Sequence, residues 1–177
     1  EVAAMMDAIW ASGPLDVLVN NAGGAFIARS EKLSARAADA ILAPTLHGAL
    51  YCTLEAGRRW IDAGRPGTVL SILSTSTITG RAFTMPSAVA KSGVLAMTKS
   101  LAVEWGRHGI RLVAIAPGPF PTPGAAGQLG AGKRQGRFAG DRIPLGRVGE
   151  HLELANLASY LVSDHAGYIT GEMVAID

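Results

Sequence analysis

The sequence predicts a doubly wound α/β domain, a parallel sheet with helices on both faces. Short apolar runs recur along the chain, lacking the polar alternation of a strand wetted on one side. Between them lie segments of ten or more residues with apolar positions spaced at three and four, the alternation that builds parallel sheets. A chain of 177 residues, 49% hydrophobic and without repeat or linker, suffices for one core, so residues 1–177 are expected to form a single domain.

The elements follow in order. Val2, Met5, Met6, Ile9 and Trp10 fall on a helical spacing that Gly13-Pro14 ends. Residues 15–19 form the first buried strand and open into Asn20-Asn21-Ala22-Gly23-Gly24. Ser34 is placed to cap a long helical region in which Ala38, Ile41, Leu42, Leu46, Leu50, Leu54 and Trp60 recur, with a break expected at Pro44. Residues 68–73 are the second strand, leading into Ser71-Ile72-Leu73-Ser74-Thr75-Ser76-Thr77. Residues 86–105 are the longest helix, Gly109 its stop, and residues 110–116 the third strand. From 117 to 140 the chain is rich in Gly, Pro and Ala without lasting periodicity, which predicts a loop acting as a substrate lid, with bounds of about 117–147. A helix near 150–162 and a strand near 172–176 close the domain.

Composition narrows the partners. Sixteen Lys and Arg against fourteen Asp and Glu give a net charge of +2, too little basicity for a nucleic-acid binder. Cys52 stands alone and the four histidines are scattered, so neither a disulfide within the chain nor a metal site is expected. No apolar stretch reaches bilayer-spanning length and the first residues lack a secretory pattern, which predicts a soluble cytoplasmic protein without membrane attachment.

Open α/β sheets bind ligands outside the carboxyl ends of their strands, which directs attention to the 20–24 turn, the hydroxyl-rich stretch and the Gly-Pro segment after the third strand. The order Asn20-Asn21-Ala22-Gly23, then Ser74, then Lys91, then Pro117-Gly118 resembles the short-chain dehydrogenase/reductase family over essentially all 177 residues. Within that family, Pro86-Ser87-Ala88-Val89-Ala90-Lys91-Ser92-Gly93, followed by Ala96-Met97-Thr98-Lys99-Ser100-Leu101-Ala102 and Glu104-Trp105-Gly106, is most similar to the 2,4-dienoyl-CoA reductases, which also place Ser four residues before the lysine.

The resemblance implies an NAD(P)-binding Rossmann fold whose N-terminal strands and glycine-rich turn lie outside this chain, and reduction of an enoyl or dienoyl thioester with NADP(H) favoured over NAD(H). It implies catalytic roles for Lys91, Ser74, Ser76 and Ser87. Cofactor contacts would come from Asn20, Asn21, Ala22, Gly23, Ser71, Lys91, Pro117, Gly118, Pro119, Phe120 and Thr122, with Asn21 also bracing neighbouring strands. Phe26 and Ser34 match substrate-lining positions.

The sequence also departs from the pattern. The usual catalytic tyrosine is Ser87, the upstream tyrosine of the mitochondrial-type enzymes is Ser76, the helix asparagine is Thr45, and further substrate-site positions are Ala25 and Gln128. A ketone or alcohol dehydrogenase and a non-catalytic dinucleotide-binding homologue therefore remain alternatives. Lys133, Arg134, Arg137, Arg142 and Arg147 would either meet the phosphates of a small anionic substrate such as an acyl-CoA or form a solvated basic face. The helical regions 34–60 and 86–105 resemble those that pair across family dimers and tetramers, which implies a homo-oligomer.

Overall fold

Four strands, β1 (Val17–Asn20), β2 (Gly67–Ile72), β3 (Ile110–Pro117) and β4 (Met173–Ile176), lie in that order in one wholly parallel sheet. The computed structural model describes residues 1–122 and 143–177. The expected alternation is present: α1 (Val2–Ser12) precedes β1, α2 (Ala35–Leu42) and α3 (Gly48–Asp62) lead to β2, a short α4 (Ser76–Thr79) and α5 (Met85–Trp105) lead to β3, and α6 (His151–Val162) leads to β4. The hydroxyl-rich stretch, read as a loop, is partly wound into α4.

Strand period two divides the core into layers. Val69, Leu112 and Ile110 point to one face, where they meet Met6 of α1, Ala56 and Trp60 of α3, and Ala102 and Trp105 of α5. Leu73, Ala114 and Ala116 continue that face toward Ala49 and Val94. Leu70, Val113 and Ile115 point the other way and are covered by α6 through Leu161, Leu154 and Leu157. Helices therefore flank both faces, as the buried apolar runs require.

Close approach on the first face depends on missing side chains. A Cβ on Gly57 would stand 2.4 Å from the Trp105 ring, and one on Gly67 2.4 Å from Trp60. The Trp60 indole N–H donates to the Leu15 carbonyl at 2.6 Å, tying α3 to the residues before β1.

Pro44 does not end the helix. The chain passes from α2 into α3 through a π-helical turn at Ala43–His47, with Pro44 in its first positions. Proline cannot complete a regular helical hydrogen bond, and the widened turn absorbs that loss without stopping the helix.

Of the expected lid, residues 123–142 lie outside the described residues. Its flanks meet: the Gly149 N–H donates to the Pro119 carbonyl at 3.1 Å, and a Cβ on Gly149 would fall 2.3 Å from the Phe120 ring. Among the described residues no helix is long and apolar enough to cross a membrane.

Candidate functional site

The parallel register brings the carboxyl ends of the strands to one edge, pairing Asn20 with Ser71, Ile72 with Ile115 and Pro117 with Ile176. The segments beyond are laced together there. Thr75 N–H donates to the Pro117 carbonyl at 3.1 Å, Gly118 N–H to the Ile176 carbonyl at 2.9 Å, and Ala28 N–H to the Phe83 carbonyl at 2.9 Å.

Lys91 reaches this edge from α5. Its ammonium donates to the carbonyl oxygens of Leu73, at 2.6 Å, and Ile72, at 3.4 Å. Burial pushes its pKa below the ordinary lysine value. The contacts to neutral carbonyls solvate the ammonium, and among the described residues it has no carboxylate partner and uses two of its three donors.

Beside it, the Ser74 hydroxyl accepts two hydrogen bonds, from the Ser76 backbone N–H at 3.3 Å and the Ser76 hydroxyl at 3.0 Å. A hydroxyl has two acceptor sites and one donor, so these bonds fill its acceptors and leave its own proton to donate. Thr77 Oγ1 donates to the Ser74 carbonyl at 2.8 Å and fixes the turn. Ser87 lies one helical turn before Lys91, on the same face of α5, and its residue is 8% exposed.

The turn Asn20-Asn21-Ala22-Gly23 leaves β1 at the same edge, with Asn21, Ala22 and Gly23 exposed. Its brace is Asn20 rather than Asn21. The Asn20 side-chain amide donates to Thr53 Oγ1 of α3 at 2.9 Å, because the last strand residue faces that helix. Thr45, standing where the family has asparagine, is buried in the π turn, and its hydroxyl accepts the Gly24 N–H at 3.4 Å. Neither the Thr53 contact nor the Thr45 contact has a local sequence signal, since both join positions more than twenty residues apart.

The other expected residues have varied surroundings. Ser71 is 1% exposed, and its hydroxyl has no hydrogen-bond partner among the described residues, so the side chain lies inside the packed layer rather than on the open edge. Ser34 caps α2 by accepting the Ala37 N–H at 3.2 Å, while Phe26 is half-buried in the loop after β1. Phe120 packs against Gly149, with Pro119 and Thr122 exposed nearby in the chain. Arg147, one of the expected phosphate-binding group, is paired bidentately with Glu153 at 2.6 and 2.8 Å on the surface. Lys133, Arg134, Arg137, Arg142 and Gln128 lie outside the described residues.

A lysine and a donor hydroxyl at the carboxyl edge of a parallel sheet, between an Asn-Asn-Ala-Gly turn and a Pro-Gly turn, form one arrangement. A family model described as enoyl-(acyl carrier protein) reductase matches residues 1–177. The chain belongs to the short-chain dehydrogenase/reductase family. It is 41% identical over 172 residues to a Bacillus subtilis protein named probable 2,4-dienoyl-CoA reductase, covering 97% of this chain and 68% of that protein. An oxidoreductase from Caenorhabditis elegans is 46% identical over 164 residues, covering 92% of this chain and 52% of its own length. The crystal structure of a short-chain dehydrogenase from Bacillus anthracis superposes with a TM-score of 0.87 at 40% identity, over 99% of this chain and 68% of that one. The chain thus spans about half the length of the worm relative and about two-thirds of the two bacterial proteins.

Proposed function

We propose that the protein reduces the conjugated double bond of an enoyl or dienoyl thioester, a small molecule such as an acyl-CoA, using NADP(H) in preference to NAD(H). The observation that carries this reading is the pairing of a largely buried Lys91 ammonium, with no carboxylate partner among the described residues, with a Ser74 hydroxyl whose acceptor sites are filled. Both offer positive potential to an oxygen that becomes negative. Addition of hydride to a conjugated thioester places charge on its carbonyl oxygen, where fixed donors lower the barrier. The cofactor preference rests on kinship with dienoyl-CoA reductases.

The nicotinamide, when bound, supplies the hydride. The turn Asn20, Asn21, Ala22 and Gly23, exposed from Asn21 on, would hold the adenine-ribose side and Lys91 the nicotinamide ribose. Pro117, Gly118, Pro119, Phe120 and Thr122 would meet the carboxamide. The residues fit such a group: Asn21, Ala22 and Gly23 are exposed, and among the described residues Lys91 uses two of its three donors.

Ser76 stands behind Ser74 and orients it. Neither hydroxyl has the acidity of the missing tyrosine, so water delivers the final proton, with Ser87 bounding the site beside Lys91. The exposed Tyr51 on α3 and Val89 and Val103 on α5 support a homo-oligomer built on these helices. A cytoplasmic setting suits the lone Cys52, whose thiol burial keeps protonated.

Oxidation of NADPH by the full-length protein, followed with 2-enoyl-CoA, 2,4-dienoyl-CoA, ketone and sugar substrates, tests the reading. Turnover is expected with the thioesters, with Lys91→Met lowering kcat by about a hundredfold and Ser74→Ala by about tenfold. Turnover of ketones alone would establish a carbonyl reductase instead, and NADPH binding without any turnover a non-catalytic homologue.

A further inference from the structure

A lysine nitrogen is tetrahedral, with one corner taken by its own side chain. Two further corners of Lys91 are committed at the end of β2, where the nitrogen donates to the Leu73 carbonyl at 2.6 Å and the Ile72 carbonyl at 3.4 Å. Both acceptors are neutral and take a hydrogen from an amine as well as from an ammonium. A neutral Lys91 seated on them therefore holds its lone pair at the one remaining corner, fixed in direction where an exposed lysine would spread it by rotation.

The surroundings favour that neutral form. Lys91 is largely buried, burial lowers its pKa, and among the described residues no carboxylate pairs with it to hold the charge. Ser74 follows Leu73 directly, and its filled acceptor sites leave its proton to donate. A thioester oxygen accepting that proton brings its electrophilic carbonyl carbon to the same end of β2. Lys32 and Lys99, by contrast, are exposed.

We propose that Lys91 is also an acylation site, taking the acyl group of a bound CoA thioester onto its nitrogen in an amide. This rests on the thioester reading above. The lone pair attacks the carbonyl carbon, the C–N bond forms as the C–S bond breaks, and the sulfur leaves as a thiolate that takes up the surplus proton of the nitrogen. Nothing is oxidised or reduced. The amide keeps one N–H and no charge, so an acylated chain lacks the positive potential offered to the substrate oxygen and is switched off for reduction.

The test is incubation of the full-length protein, without dinucleotide, with butyryl-CoA, which carries no double bond to reduce. Peptide mass mapping follows each lysine while a thiol reagent follows released CoA. Lys91 is expected to be butyrylated at least about tenfold faster than Lys32 and Lys99, because bound thioester and fixed lone pair raise the effective concentration. Each group gained there should release one thiol, and Lys91→Arg should abolish this fast phase of release. Equal rates at the three lysines would overturn the proposal, as would thiol released without an adduct on Lys91, which would assign the cleavage to water. Turnover of enoyl thioesters by a protein whose Lys91 stays unmodified would overturn acylation alone. Lys91 acylated in a protein that reduces no thioester would uphold acylation and overturn the proposed reduction.

Discussion

The two faces of the sheet are held by different physics. On one, α1, α3 and α5 pack so closely that glycine hydrogens at Gly57 and Gly67 rest on indole rings, with Arg59 of α3 paired to Asp7 of α1 at the margin of that contact. On the other, α6 places Leu161 on the sheet but is fixed at both ends by charge. Arg147 and Glu153 tie its first turn, where Glu150 and Glu153 form a capping box. Arg111 donates to the carbonyls of Leu161, Ser163 and Ile169 at 3.1 to 3.2 Å beyond its last turn. Lys91 reaches the carboxyl edge of the sheet from α5, on the closely packed face.

The sharpest way to break this contrast is Gly57→Ala. Its methyl would meet the Trp105 ring at 2.4 Å, and separating α3 from α5 should cost about 1–3 kcal/mol, read as a lower thermal midpoint independent of pH. A midpoint equal to the parent's would show that this interface is slack.

Ser71→Ala probes the same layer with a smaller effect of opposite sign. Its unpartnered buried hydroxyl should make the variant equal in stability to the parent or up to about 1 kcal/mol more stable by denaturant unfolding. A loss greater than that would reveal a hydrogen bond made in solution.

Glu153→Gln addresses the charged face and should give the smallest change, because the pair is solvent-exposed. Arg147 and the Glu150 backbone N–H hold the Glu153 carboxyl at about 2, below its ordinary 4.5. A depressed carboxylate stabilises the folded state fully above pH 4.5 and loses that contribution as pH falls toward 2. The midpoint difference between parent and Glu153→Gln should therefore be present at neutral pH and close over that window. A difference constant with pH would assign the effect to something other than ionisation.

Much of the scaffold was legible because burial on both faces writes itself as uninterrupted apolar runs, and all four strands stand where those runs predicted. That Lys91 and Ser74 would share the carboxyl edge was legible through the order of motifs around them, not from local chemistry. What escaped the sequence depends on backbone shape or distant pairing. Pro44 signalled a break, yet whether a helix stops or widens is decided by what packs beyond it. Phe83 takes a positive φ of 66° with no glycine or asparagine to announce it. The pairing of Arg147 with Glu153 shows only once α6 is in place, and Ser71 looked available to cofactor until the helices covered it.

The tie between Pro119 and Gly149, with Phe120 lying on the glycine, makes the chain leave and re-enter the scaffold through a single gateway. Closing a loop at a fixed gateway makes its entropy only weakly dependent on the number of residues enclosed. A change in the number of residues between Pro119 and Gly149 is therefore expected to leave the sheet, Lys91 and Ser74 in their places.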